Sequence, residues 1–163
     1  MREKLKKWLK SDNRVFAEGM SFSKMFIIFV IGSFIGVLHE NIWGCIKHLY
    51  RTGTFFWPSH KGVIYGPFNP LYGAGIVFII YILGKKKTKP LKTFLYGALL
   101  GGAIEYIVSF LMELVLGVAS WDYSTYFLNI NGRTTIPYMI FWGFASMILV
   151  HWIYPFLSKK KKK

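Results

Sequence analysis

The fold is decided by one Gly- and Pro-rich stretch, which reads Gly62-Val63-Ile64-Tyr65-Gly66-Pro67-Phe68-Asn69-Pro70-Leu71-Tyr72-Gly73-Ala74-Gly75. Proline removes a backbone donor and glycine relaxes the backbone, so residues 66–70 are predicted not to form regular helix. Inside a bilayer, such backbone is stable only where protein covers it or where it lines a polar cavity. This stretch is therefore the first candidate for a binding or transport site.

The composition of the whole chain indicates an integral membrane protein. Of its 163 residues, 53% are hydrophobic and 19% are aromatic, and the mean hydropathy is +0.37. Several apolar runs approach or exceed the roughly 20 residues that a membrane-spanning helix needs. We predict an all-α, polytopic fold with a basic amphipathic segment at 1–24, a four-helix transmembrane domain at 25–158 and a lysine tail at 159–163.

The second of the four predicted spans is expected to be broken. If regular helix begins there only after Pro70, about 14 residues at about 1.5 Å each reach roughly 21 Å, which is short of a ~30 Å hydrocarbon core. The preceding Gly-Pro-Phe-Asn-Pro piece must then contribute extended or re-entrant chain. The predicted spans run from about Met25 to Ile46, Val63 to Leu83, Thr93 to Val118 and Ile136 to Leu157.

The placement of positive charge predicts the topology. The net charge is +14, and most lysines and arginines lie in residues 2–24, 85–92 and 159–163. This asymmetry is the positive-inside pattern, so we expect a multi-pass membrane protein with both termini in the cytoplasm. The basic clusters are also expected to contact anionic lipid, and their position at span ends argues against a nucleic-acid partner.

The first and third spans share a spaced pattern of small and acidic residues. Gly-xxx-Gly-xxx-Glu occurs from Gly32 to Glu40 and again from Gly97 to Glu105, at a constant offset of 65 residues. Small residues four apart let two helix backbones approach closely, so we predict that the two glycine stripes face each other. Because both spans run outward in this topology, a duplication would be a parallel repeat about an axis along the membrane normal.

Acidic residues within or near the spans are the main candidates for a site, because a carboxylate inside a bilayer costs several kcal/mol unless it is paired, protonated or solvated. We predict an outward-facing, carboxylate-lined polar site that takes up a cation, a proton or a zwitterionic solute. Its candidate ligand-binding residues are Glu40, Glu105, Glu113, Asp122, Asn69, Arg133, Lys61, Ser109 and Tyr72.

Several alternatives to solute binding stay open. An internal salt-bridge network, in which Arg133 or Lys61 pairs with Glu113 or Asp122, could only lock the four helices, which would make the chain a non-catalytic assembly subunit. An enzyme acting on a lipid-linked substrate through a carboxylate is less favoured, and its catalytic residues are unknown. No close His-x-x-x-His pair exists and Cys45 is the only cysteine, so we predict no metal, no other cofactor and no intrachain disulfide.

Seven motifs, spread in order from about residue 26 to residue 145, carry a resemblance to a known family. They are Gly36 through Glu40, Lys61-Gly62, Tyr65 through Gly75, Glu105-xxx-Ser109-xxx-Glu113, Trp121-Asp122-Tyr123-Ser124, Asn129 through Arg133, and Trp142-Gly143. Together they resemble the CmpB, or type IV, group of small bacterial membrane proteins that carry the label of ABC-transporter permeases. The chain departs from that pattern at His39, where tryptophan is usual, and at Lys61, where arginine is usual.

The resemblance implies a small multi-helix protein of the cytoplasmic membrane with a role in transport. The sequence contains no phosphate-binding Gly-x-x-x-x-Gly-Lys-Ser/Thr loop, so ATP-driven transport would need a separate ATPase subunit. Four spans would also need a homo-oligomer or a partner to complete a path across the bilayer.

Overall fold

The chain is mostly helical. The computed structural model describes residues 3, 15–17, 19–57, 66–86, 88–119 and 121–159. In chain order the elements are β1 (Val15–Ala17), β2 (Met20–Ser21), α1 (Phe22–Thr52), α2 (Pro70–Leu83), α3 (Pro90–Leu116), β3 (Asn129–Ile130), β4 (Thr134–Thr135), α4 (Ile136–Ile148), a π-helical turn (Leu149–Ile153) and α5 (Tyr154–Ser158).

Three helical stretches of the described residues are long and apolar enough to cross a membrane. They are α1, α3 and the continuous run Ile136–Ser158, and α2 is a shorter apolar helix. The membrane class and the four apolar helices predicted from the sequence are therefore confirmed. The orientation of the termini stays a prediction.

Regular helix in the second apolar segment begins at Pro70, so residues 66–69 are irregular as predicted, whereas Pro70 is already helical. Gly66 has a φ of +73°, a left-handed conformation that glycine adopts without strain. Asn69 then caps the helix, because its side-chain Oδ1 accepts a hydrogen bond from the Leu71 N–H at 3.1 Å. Residues 58–65, which include the start of the predicted second span, lie outside the described residues.

Sequence signals also account for the ends of α1 and α3. The Ser21 side chain accepts from the Lys24 N–H at the start of α1, and Pro90 occupies the first turn of α3, where no helical donor is needed. Gly53 and Gly117 follow the two helices with φ of 69° and 72°, and their N–H groups bond back to carbonyls four residues earlier. Left-handed glycine is the usual end of a helix.

The chain divides into two compact units. The first contains Met1–Phe16 and Met20–Phe78, and therefore holds α1 and α2 up to Phe78. The second contains Ala17–Gly19 and Ile79–Lys163, and holds the rest of α2, α3, the β3–β4 pair and the helical elements from α4 onward.

In the first unit, the glycines of α1 are covered by α2. A Cβ on Gly36 would overlap the ring of Tyr72, and a Cβ on Gly32 would lie 2.8 Å from Ile76 Cδ1. The approach is reciprocal, because a Cβ on Gly73 of α2 would lie 2.9 Å from a ring carbon of Phe29. Glycine at these positions therefore sets the distance between the two helices.

In the second unit, the glycines of α3 are covered by α4 in the same manner. A Cβ on Gly101 would overlap Trp142, and one on Gly97 would overlap Ser146. On the facing helix, a Cβ on Gly143 would lie 2.7 Å from a ring carbon of Phe94.

The prediction that the glycine stripes of the first and third spans face each other is wrong. Each stripe is filled by the helix that follows it in the chain, which leaves no room on that face for another backbone. Consecutive helices usually lie side by side, and an aromatic residue followed by glycine provides the matching surface.

The all-α prediction omitted a short hairpin made by β3 and β4, which pair antiparallel with Ile130 opposite Thr134. Its turn places Asn131 and Gly132 at φ of 51° and 67°, and the Arg133 N–H bonds to the Ile130 carbonyl at 3.0 Å. Asn-Gly is a strong hairpin signal, so the sequence did contain the information.

The π-helical turn lies near the end of the fourth apolar segment. The Tyr154 N–H bonds to the carbonyl of Leu149, five residues back, where an α-helix would bond four back. Pro155 follows directly and cannot donate a backbone hydrogen bond, which favours an irregular turn at this place.

Candidate functional site

The predicted site residues fall in both units. The first unit holds Glu40, Asn69 and Tyr72, the second holds Glu105, Ser109, Glu113, Asp122 and Arg133, and Lys61 lies outside the described residues.

In the first unit, Glu40 is held by an aromatic residue of the next helix. The Tyr72 hydroxyl donates to Glu40 Oε1 at 2.8 Å. Gly36 lies one turn before Glu40. Because glycine has no side chain, the Tyr72 ring can lie against the backbone of α1, and its hydroxyl can reach Glu40. Asn69 is only 8% exposed and its side chain is engaged as the cap of α2, so it acts in local structure.

In the second unit, Glu105 is held by two donors. The Thr134 hydroxyl donates to Glu105 Oε2 at 2.6 Å, and the Trp142 indole N–H donates to Oε1 at 3.0 Å. The first donor comes from β4 and the second from α4. Glu105 therefore joins the hairpin to the helix pair.

Arg133 of the hairpin contacts α3 nearer its C-terminal end. It forms an ion pair with Glu113, and its Nη1 donates to the Ser109 hydroxyl at 3.3 Å. The guanidinium also lies 5.3 Å from the centre of the Phe110 ring and 5.9 Å from that of Tyr106, within cation–π range. Ser109 is fully buried, whereas the Glu113 side chain is 47% exposed, so the pair is accessible on its carboxylate side.

Asp122 organises the loop that precedes the hairpin. Its carboxylate accepts from the Ser124 N–H at 2.8 Å and from the Ser124 hydroxyl at 3.0 Å, and these bonds lower the pKa of Asp122 below its ordinary value. Next to it, the Trp121 indole N–H donates to the Arg133 carbonyl at 2.8 Å, which fixes the hairpin at the position from which Arg133 reaches α3.

Sequence reasoning missed Thr134 and Trp142 as partners of Glu105. Trp142 is only 7% exposed, and both donors are more than twenty residues from Glu105 in the chain. A signal was present, because the aromatic-Gly pair Trp142-Gly143 repeats Tyr72-Gly73.

A metal site has no geometric support in the part of the chain that the structure describes. No three side chains of histidine, cysteine, aspartate or glutamate come together there in a way that could hold an ion.

Helices of membrane-spanning length, paired through glycine stripes and tied by carboxylates, define a polytopic helical membrane protein. The chain belongs to the family described as "Putative ABC-transporter type IV", whose family model matches residues 27–163 and so confirms the resemblance seen in the motifs. No curated protein and no solved structure matches the chain.

Proposed function

We propose that the chain is a membrane-spanning subunit of an ABC-type transporter in a bacterial cytoplasmic membrane, and that it contacts its solute at the Glu113–Arg133 pair. Membership of the ABC-transporter family supports the first part. The second part rests on one observation, which is an ion pair whose carboxylate side is half exposed and whose arginine side is anchored on buried Ser109.

The chemistry of the pair suits a cationic or zwitterionic solute. Glu113 lies in the last turns of α3, where the helix dipole disfavours negative charge and Arg133 supplies the compensating cation. A cation can compete with Arg133 for the carboxylate, and a zwitterion can satisfy both members at once. Glu105 and Asp122 are proposed to position the site, and Glu40 and Asn69 to stabilise the helix pair of the first unit, since their polar atoms already bond within the protein.

A thermal-unfolding screen of the purified protein tests this proposal. The panel contains choline, glycine betaine, L-lysine and Mg²⁺, and the variants are Glu113→Gln, Arg133→Gln and the exchanged pair Glu113→Arg/Arg133→Glu. A ligand at about 100 times its Kd adds about 2.7 kcal/mol of apparent stability. We expect a stabilising ligand that loses its effect in both single variants and also in the exchanged pair, because exchange reverses the geometry of the charges.

A second function, that of an assembly subunit, is favoured by the number of polar groups that bond internally. In that case the single variants lose stability, the exchanged pair recovers it, and no compound of the panel stabilises any form. That result would reject solute contact at this pair while leaving family membership untouched.

The transporter assembly itself is a separate part of the proposal. We expect the chain to require an ATPase subunit and either a second copy of itself or another membrane subunit, since the sequence has no phosphate-binding loop. The mass of the detergent-solubilised particle measures the number of copies of the chain. A strictly monomeric particle that hydrolyses no ATP with any added ATPase subunit would contradict the proposed assembly.

A further inference from the structure

The second unit contains a cavity of about 630 Å³ where α2 ends and where the π-helical turn and α5 lie. This volume falls within the range of small-molecule sites. The polar or basic residues that line it are Lys85, Lys86, Thr88, His151, Tyr154 and Ser158. None of them belongs to the Glu113–Arg133 site.

The π-helical turn shapes one wall of this cavity. His151 lies inside the turn, and Tyr154 closes it through the hydrogen bond to Leu149. A π-turn inserts an extra residue into the helix at an energetic cost, and such turns are frequent at functional sites. The irregular turn thus coincides with the only histidine that lines the cavity among the described residues.

A chain of hydroxyl groups fixes His151. Thr93 is fully buried, and its Oγ1 lies 2.9 Å from His151 Nε2, 2.6 Å from Thr88 Oγ1 and 3.3 Å from the Lys89 carbonyl. A hydroxyl has one hydrogen, which Thr93 donates to the carbonyl, so it accepts from both Thr88 and His151. The wall is therefore held in place before any ligand arrives.

The charge around the cavity is positive, and none of its described lining residues is acidic. Lys85 Nζ lies 4.3 Å from the centre of the Tyr81 ring, which holds that ammonium near the cavity. Two large apolar side chains at the same end of the fourth segment are exposed, Trp152 to 74% and Phe156 to 73%. Basic groups beside exposed aromatic residues are typical of the boundary between lipid head groups and acyl chains.

We propose that this cavity binds the phosphate group of an anionic phospholipid. The lysines neutralise the phosphate, the wall fixed by Thr88, Thr93 and His151 lies beside it, and the acyl chains lie against Trp152 and Phe156. An anionic lipid satisfies both the positive charge and the adjoining apolar surface, whereas free phosphate satisfies only the charge.

Binding to the full chain in a neutral detergent tests the proposal. The probes are short-chain phosphatidylglycerol, short-chain phosphatidylcholine and inorganic phosphate, and the readouts are the thermal midpoint and lipid retention in native mass spectrometry. We expect Lys85→Gln/Lys86→Gln to weaken phosphatidylglycerol binding about thirtyfold, since each lysine near an anionic head group contributes about fivefold. The matched control Lys92→Gln/Lys159→Gln removes the same charge outside the cavity lining and should change binding less than about threefold.

Three results would overturn the proposal. They are equal weakening by the two double variants, equal binding of phosphatidylglycerol and phosphatidylcholine, and inorganic phosphate binding as tightly as phosphatidylglycerol, which would make free phosphate the occupant. If the double variant does not fold, Lys86→Gln alone keeps the Lys85–Tyr81 contact. Lys85→Arg/Lys86→Arg should restore binding.

Discussion

The protein contains two helix pairs that pack through glycine in the same way but differ in the contacts around the glutamate. The first pair is α1 with α2 up to Phe78, and the second is α3 with α4. In each pair, Gly-xxx-Gly-xxx-Glu on the leading helix meets an aromatic-Gly pair on the following helix, and the aromatic side chain donates to the glutamate. The shared contacts indicate a repeated unit of two helices.

The pairs differ in what surrounds the glutamate. Among the described residues, Glu40 accepts a side-chain hydrogen bond from Tyr72, whereas Glu105 accepts from both Trp142 and Thr134. The extra donor comes from the β3–β4 hairpin, which also delivers Arg133 to Glu113. Each helix pair therefore supplies packing, and the hairpin of the second unit adds the accessible charge on which the proposed function depends.

Replacing the packed glycines by alanine should lower the stability of the helix pairs more than any other substitution. Gly36→Ala and Gly101→Ala each place a Cβ onto an aromatic ring, so we expect each to lower the free energy of unfolding by about 1–3 kcal/mol. Denaturant unfolding of the purified protein measures this, and Ala103→Leu, at an exposed position of α3, is the control. A large loss in only one of the two glycine variants would show that the pairs are not equivalent.

Replacing the glutamates by alanine should destabilise the two pairs to different extents. Glu105→Ala leaves two donors without their acceptor and Glu40→Ala leaves one, so we expect losses of about 1.2 and about 0.6 kcal/mol, at the average for hydrogen bonds between membrane helices. The same unfolding measurement checks this. Equal losses would mean that Thr134 contributes nothing to the second pair.

Replacing the N-terminal caps of α2 and α4, with Glu40 and Glu105 kept in place, should have smaller and nearly equal effects. Asn69 Oδ1 accepts from the Leu71 N–H, and Thr135 Oγ1 accepts from the Tyr138 N–H at 3.2 Å. We expect Asn69→Ala and Thr135→Ala each to cost about 0.5 kcal/mol, at the low end for helix caps. Helix content followed by circular dichroism during unfolding measures the loss, and replacement by aspartate should restore most of it.

The smallest effect should come from Asp122, which has no counterpart among the described residues of the first unit. Its folded pKa lies below the ordinary value of about 3.9, so its contribution is present above that pH and is lost as the pH falls through the lowered pKa. We expect hydrogen-exchange protection of the 121–133 loop to fall in acid in the wild type. Asp122→Asn should lack this acid-dependent step, and an identical step in both proteins would exclude Asp122 as its cause.

The repeat could be predicted from the sequence only in its leading helices. Gly32 through Glu40 match Gly97 through Glu105 at an offset of 65, but the following helices match at 70, as Tyr72-Gly73 and Trp142-Gly143 show. A search at a single offset misses that second match, because a longer connector shifts it. For the same reason the partner helix of each glycine stripe was assigned incorrectly.

The candidate site was predictable in its residue types and less so in its contacts. The sequence predicts as an alternative that Arg133 or Lys61 pairs with Glu113 or Asp122, and the structure shows the Arg133–Glu113 pair. The ties of Glu105 to Thr134 and Trp142 depend on how the hairpin packs onto α3, which no local periodicity encodes. Asp122 and Asn69 belong to local turns, where short polar side chains commonly bond to nearby backbone.

The π-helical turn has a consequence for the rotation of the fourth segment. Steps of four residues drift by about 40° each on an α-helix, so three steps from Trp142 would turn Tyr154 about 120° away from the packed face. One additional residue in the turn removes about 100° of that drift. Trp142, Ser146, Val150 and Tyr154 are accordingly all buried on one continuous stripe. The turn thus acts as a phase correction that keeps the last turn of the helix, and with it the wall of the basic cavity, facing the protein rather than the lipid.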